Sequence, residues 1–270
     1  MKENFVTRFR NNSKREKQNK KVSKRKAYLL NDNTPFDVTE AFRNLKASIS
    51  VSVPKHRKGG VSILATSSYP EDGKTTVTTN LALMFAQSDA KVVLIDADIR
   101  KGRIAKYFNK KSEPGLSDLL SGHATLDEVL YQSDVNENLF IIPCGTHSPK
   151  PYELLESEAM KAVNEQLKER FDYVFFDTPP ILVVSDALAL APNMEGTILV
   201  TRHMVSYVSD VAKSLNTLKF AKANILGIIV NDYHIKEDKS YGGYKKYGYN
   251  YGYSNDGAYE NSDNSTAKDE

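Results

Sequence analysis

The sequence predicts an α/β fold, a doubly wound and mostly parallel sheet with helices on both faces. Apolar runs recur at residues 61–65, 92–95, 139–142, 173–176, 197–200 and 225–230. Several lack period-2 alternation, as expected of strands covered on both sides. Segments of helical periodicity stand between them at 75–87, 159–170 and 209–220. Strands alternating with helices favour parallel crossovers. At 270 residues, with 40% hydrophobic and 26% charged residues, the chain has material for one domain of about 200 residues.

Before the first strand, residues 38–51 read as an amphipathic helix, with Thr39 as its N-cap and Phe42, Leu45 and Ile49 on one stripe. Pro54 and the basic, glycine-ended run 55–60 break it. The strand at 61–65 then leads through Ser67-Ser68-Tyr69-Pro70-Glu71-Asp72-Gly73-Lys74-Thr75-Thr76 into the next helix. A strand, a tight loop ending in Gly-Lys-Thr and a helix form a phosphate cradle. Backbone N–H groups and the helix N-terminus face the oxygens, the lysine adds a point charge and the hydroxyl reaches Mg²⁺. Ser68 stands where such a P-loop usually has its first glycine. The expected nucleotide contacts are Ser68, Asp72, Gly73, Lys74, Thr75 and Thr76, at the carboxyl end of a strand where doubly wound sheets bind ligands.

Two further strand ends carry acids. Asp96 and Asp98 follow the run 92–95, two residues apart and so on one side of an extended chain. Asp177 ends the run 173–176 ahead of Thr178-Pro179-Pro180, as a Walker-B acid holding Mg²⁺ would. Transfer of a phosphoryl group depends on positioning and charge neutralisation, which assigns Lys74 to catalysis and Thr75, Asp98 and Asp177 to the metal. An acceptor hydroxyl needs a nearby carboxylate; Asp96 and Asp98 both qualify, and the spacing does not choose between them.

Both ends differ from the middle. Residues 1–26 hold eleven Lys/Arg and two acids, although the whole chain sums to only +3, so the remainder is net acidic. This arm lacks apolar periodicity and reads as disordered, with a weak anionic-membrane contact through residues 1–26 as its expected role. After residue 235 comes a flexible low-complexity tail with Tyr241, Tyr244, Tyr247, Tyr249, Tyr251 and Tyr253, followed by Tyr259 in an acidic end. The expected division is an arm at 1–33, a domain at 34–235 and a tail at 236–270. No apolar run approaches the roughly 18 residues of a membrane span. The single cysteine, Cys144, suits a reducing cytoplasm.

Taken together, these residues resemble the bacterial tyrosine kinases of capsule and exopolysaccharide operons. The likeness runs from about Thr39 to Asn231 and includes the loop 68–75, the motif 92–100, Phe176-Asp177-Thr178-Pro179-Pro180, the segments 115–122 and 151–155, and the tyrosine cluster. It implies ATP- and Mg²⁺-dependent autophosphorylation of the tail tyrosines between subunits of a ring, an octamer in the family. It also implies a separate membrane-anchored modulator whose cytoplasmic tail activates the kinase, a phosphotyrosine phosphatase as antagonist, and a cytoplasmic protein recruited to the inner membrane face. The family's subunit-contact motif maps onto Glu40, Arg43 and Lys46; lysine at the third position keeps the charge but loses the planar fork of arginine. Asn231 matches an asparagine that contacts adenine in related ATPases. Glu71 departs from the small residue usual before the loop acid, and two adjacent acids there oppose bound phosphate unless they point away.

Three other readings compete. A positioning ATPase of the chromosome- or septum-partitioning type carries an additional lysine five positions before the loop lysine, where this chain has Tyr69, and lacks a tyrosine-rich end. A non-catalytic nucleotide-binding scaffold of the polysaccharide machinery would not need Lys74, Thr75, Asp96, Asp98 and Asp177 all intact. Nucleic acid ranks last as a partner, because the basic arm and the tyrosines lie at opposite ends of the chain.

Overall fold

The computed structural model describes residues 28–53 and 59–233. The basic arm, most of the 55–60 break and the tyrosine-rich tail lie outside the described residues. In chain order the elements are α1 (Phe36–Ser52), β1 (Val61–Ser67), α2 (Lys74–Ala86), β2 (Val92–Asp96), α3 (Ile104–Tyr107), α4 (Leu116–Leu120) and α5 (Leu126–Val129). Then come β3 (Tyr131–Gln132), β4 (Leu139–Ile142), α6 (Pro151–Glu156), α7 (Glu158–Arg170), β5 (Tyr173–Asp177), α8 (Asp186–Leu190), β6 (Gly196–Arg202), α9 (Val208–Phe220) and β7 (Ile225–Asn231).

The seven strands form one sheet in the order β3-β4-β2-β5-β1-β6-β7. Every pairing is parallel except β3 with β4, which is antiparallel at the edge. The six apolar runs are the six parallel strands. In the inner strands this uniform hydrophobicity follows from burial on both faces, since successive residues point into opposite cores, whereas the edge strand β7 leaves Ile228 and Val230 exposed. Leu64, Val93, Ile95, Val174 and Phe176 pack with Met160, Val163 and Leu167 of α7. Their neighbours Ile63, Val92, Leu94 and Phe175 pack on the other side with Val77, Leu81 and Phe85 of α2. There Phe85 meets the Tyr173 and Phe175 rings at centroid distances of 4.3 and 5.5 Å.

Two local expectations change. Thr39 is not the N-cap of α1. Pro35 takes that place, and Thr39 lies one turn inside with its hydroxyl donating back to the Pro35 carbonyl at 3.3 Å. Proline has no backbone N–H to leave unsatisfied, so the helix starts two residues early. The antiparallel β3 is a new element, two residues long and far too short to produce a periodic signal. The apolar stripe of α1 holds: Ile49 is buried, and Phe42 and Leu45 pack against the α2 core.

The segment before α1 is tied to the phosphate-loop helix by Asn80. Its Oδ1 accepts from Leu30 N at 2.8 Å, and its Nδ2 donates to the Tyr28 carbonyl at 2.8 Å. Both backbone groups depend on one side chain that is itself buried. Replacing Asn80 with Ala is expected to cost about 1–3 kcal/mol in urea unfolding, the range for stranding buried polar groups. A loss below about 0.5 kcal/mol would contradict the tether.

Candidate functional site

The carboxyl ends of β1, β2 and β5 converge on a cleft of about 390 Å³. From β1 the chain turns through residues 68–73 into α2. Gly73 caps that helix at φ +88°, and a Cβ there would lie 2.0 Å from Asn231 Nδ2, so the position requires glycine. Asn231 ends β7 and donates Nδ2 to the Asp72 carbonyl at 3.1 Å, which pins the loop to the far side of the sheet. The fully buried Ser68 shares a 2.8 Å hydrogen bond with Ser214 of α9. Ser214 itself donates to the Asp210 carbonyl, so Ser68 is the donor. The side chain replacing the usual glycine thus points into the protein.

The two adjacent loop acids separate. Asp72 is buried, its Oδ2 accepting from Tyr69 N at 3.2 Å and its Oδ1 from the Ser206 hydroxyl at 2.9 Å. Its charge is spent on holding the loop. Glu71 is exposed on the cleft rim with a left-handed backbone, φ +72°.

At the start of α2, Lys74 Nζ lies 3.4 Å from Asp177 Oδ1 and 3.2 Å from Thr75 Oγ1. The Thr75 hydroxyl donates to Asp177 Oδ2 at 2.7 Å. Asp177 is in register with Asp96 across β5 and β2, and both are about 1% exposed. Burial, followed by the Asp177 charge, pushes the Asp96 carboxyl up to about 7. Burial also raises Asp177, with Lys74 and Thr75 opposing the shift. Asp96 Oδ2 accepts from Ile104 N at 2.9 Å, but its Oδ1 is buried without a hydrogen-bond partner.

The expected side-by-side placement of Asp96 and Asp98 changes because β2 ends at Asp96. Asp98 lines the cleft and accepts from Lys101 N at 2.9 Å, whereas Asp96 lies behind the wall, 2.7 Å from where a Gly102 Cβ would stand. Thr76 shares a 2.9 Å hydrogen bond with Tyr107 of α3. Lys74, Thr75, Asp98 and Asp177 share one cleft, with the partnerless Asp96 oxygen behind its wall, and have the donor chemistry of a magnesium–phosphate site: a cation for phosphate, and a hydroxyl and hard oxygens for the metal.

Sequence reasoning missed Arg100. It lines the cleft and forks onto the fully buried Asp186, with Nε–Oδ2 at 2.7 Å and Nη2–Oδ1 at 3.0 Å. Arg100 lies within the second acidic motif, but its partner is 86 residues away on α8 and carries no motif signal. Away from the cleft, Glu40 and Arg43 pair with each other on α1. Lys46 instead lays its ammonium 5.9 Å from the Phe85 ring centroid.

The comparisons agree with this geometry. An AAA domain family model matches residues 50–228. Tyrosine-protein kinase YwqD of Bacillus subtilis is 34% identical over 207 residues, 76% of this chain and 86% of that protein. The chain belongs to the AAA domain family and, within it, to the bacterial tyrosine kinases. The kinase domain of the Escherichia coli tyrosine kinase ETK superposes with a TM-score of 0.67 at 34% identity, covering 72% of this chain and 74% of that one. The septum site-determining protein MinD of Pyrococcus horikoshii, complexed with Mg-ADP, reaches 0.55 at 29% identity, covering 64% and 71%. The chain spans less than a third of the first curated relatives it matches: 26% of the tyrosine-protein kinase ptk of Acinetobacter johnsonii and 31% of the putative tyrosine-protein kinase EpsB of Ralstonia solanacearum. Among the described residues no helix is long and apolar enough to cross a membrane.

Asp96 gives the site a pH signature. Its folded value, about 7, exceeds the unfolded 3.8, so the folded protein holds a proton that the unfolded chain releases between them. The stability it contributes is present below the unfolded value and lost as pH rises to about 7. Without nucleotide or divalent cation, Asp96→Asn is expected to flatten the fall of the urea midpoint between about pH 4 and pH 7, the window set by the two values. Parallel pH profiles for the two proteins would refute the assignment.

Proposed function

We propose that this chain is an ATP- and Mg²⁺-dependent protein-tyrosine kinase that phosphorylates its own terminal cluster, Tyr241, Tyr244, Tyr247, Tyr249, Tyr251 and Tyr253. The supporting observation is the Lys74–Thr75–Asp177 contact set at the start of α2, sharing one cleft with Asp98. Lys74 and the loop N–H groups would hold the phosphates, while Thr75, Asp98 and Asp177 would hold the metal. Bound Mg²⁺ neutralises charge on the transferred phosphoryl group. Asp98, open to the cleft, orients the incoming tyrosine hydroxyl and accepts its proton. The phenolic oxygen then bonds to the γ-phosphorus as the bond to the β–γ bridging oxygen breaks, releasing ADP. Asp96, walled off behind Gly102, would add negative charge to the metal side once a bound cation displaces its proton. Asn231 supports the loop from beneath and is the residue assigned to the adenine edge.

The wider setting follows the family. The kinase domain at 34–235 works between an arm at 1–33 and a tail at 236–270, in a homo-oligomeric ring contacted through Glu40, Arg43 and Lys46. A separate membrane-anchored modulator recruits and activates it, a phosphotyrosine phosphatase reverses it, and phosphorylation tunes the synthesis or export of a surface polysaccharide. Each phosphate adds about 1.5 to 2 negative charges, enough in series to loosen packed neighbours. Against a MinD-like positioning role, the place of the additional lysine is held by Tyr69, about 44% exposed beside the loop.

Incubation with labelled ATP and Mg²⁺, with and without modulator tails, tests this reading. Label is expected on tyrosine, and is expected to vanish both in Lys74→Met and in a chain truncated after Asn231. ATP hydrolysis with no label on the protein, even with activator present, would contradict it.

A further inference from the structure

Beside the nucleotide cleft lies a second, shallower cavity of about 450 Å³, lined by Arg100, Lys101, Arg103, Lys106, Glu113 and His147 among others. It shares Arg100, Lys101 and Arg103 with the cleft, so the two are contiguous. The charge there is unbalanced. Arg100 is neutralised by Asp186, and Glu113 is the acid on the rim. Lys101, Arg103 and Lys106 are exposed and form no ion pair among the described residues. Exposed cations crowded at a cavity repel one another and attract an anionic chain.

The chain carries such a segment. Residues 254–270 hold Asp256, Glu260, Asp263, Asp269 and Glu270 against the single Lys268. The preceding stretch 241–253 has Lys245 and Lys246 and no acid. The tail is therefore bipolar, with tyrosines first and acids after. Asp256 lies three positions beyond Tyr253, a span of about 10 Å when extended. A site that grips the acids next to the cleft leaves the tyrosines free to enter it.

We propose that this basic cavity is the docking site for the acidic segment 254–270 of a neighbouring copy, and that it sets which tyrosines reach Asp98. The proposal rests on the kinase reading above and deepens it. Docking involves ion pairs alone, so it governs acceptor affinity and leaves the chemical step untouched.

The test uses the full-length Lys74→Met chain as acceptor for the wild-type kinase. Neutralising the five acids of the acceptor to Asn or Gln is expected to raise its KM about tenfold with kcat unchanged, the equivalent of two or three exposed ion pairs. Lys106→Glu in the kinase is expected to raise KM for the intact acceptor similarly, and to add little for the neutralised one. Equal KM values for the two acceptors would overturn the docking site while leaving the kinase reading intact. A second readout is independent of activity. A fluorescent peptide of residues 254–270 is expected to bind the full chain in a salt-sensitive way and to bind Lys106→Glu at least fivefold more weakly, about one exposed pair's worth. If neither acceptor is labelled even with modulator tails present, the kinase reading fails and peptide binding alone decides the cavity; no binding, or binding unaltered by Lys106→Glu, overturns it.

Discussion

Two carboxylates that the sheet forces out of water, Asp96 and Asp177, hold this structure's chemistry in place. They sit side by side at the ends of β2 and β5, almost fully buried. Adjacent buried acids repel and pay a desolvation cost unless cations or donors face them. Lys74 and Thr75 supply one half of that compensation from the first turn of α2. The other half is unmet, because one oxygen of Asp96 has no hydrogen-bond partner. An arrangement so expensive in isolation is what a site complementary to a divalent cation and phosphate requires.

The rest of the fold serves that convergence. Parallel strands bring every carboxyl end to one edge, and the crossover helices shield both faces. Asp72 shows how the loop tolerates its acids: Tyr69 N and Ser206 engage its carboxylate and turn it from the cleft into a brace. Gly73 and Asn231 fit so closely that the loop, α2 and β7 are mechanically one unit.

Much of this was legible in the chain. The runs at 92–95 and 139–142 marked their strands closely because doubly buried strands must be continuously apolar, and Gly-Lys-Thr marked the turn into α2. The short helices α3 to α6 and the two-residue β3 were not legible, since elements of fewer than two turns leave no periodicity. Long-range polar pairings were equally hidden. Arg100 with Asp186, Ser68 with Ser214 and Asp72 with Ser206 join residues far apart in sequence, and only the folded topology reveals them. Extrapolating β2 through Asp98 failed for a related reason: the strand stops one residue after the apolar run, so Asp96 turns inward while Asp98 opens to the cleft.

Equilibrium titration of the full chain with ATP, in the presence and absence of Mg²⁺, reaches the central claim most directly. If triphosphate and cation meet at Lys74, Thr75 and Asp177, Mg²⁺ strengthens ATP binding in the wild type, Asp177→Asn loses that strengthening, and Lys74→Met weakens binding at every Mg²⁺ concentration. An ATP affinity indifferent to both substitutions would contradict the account.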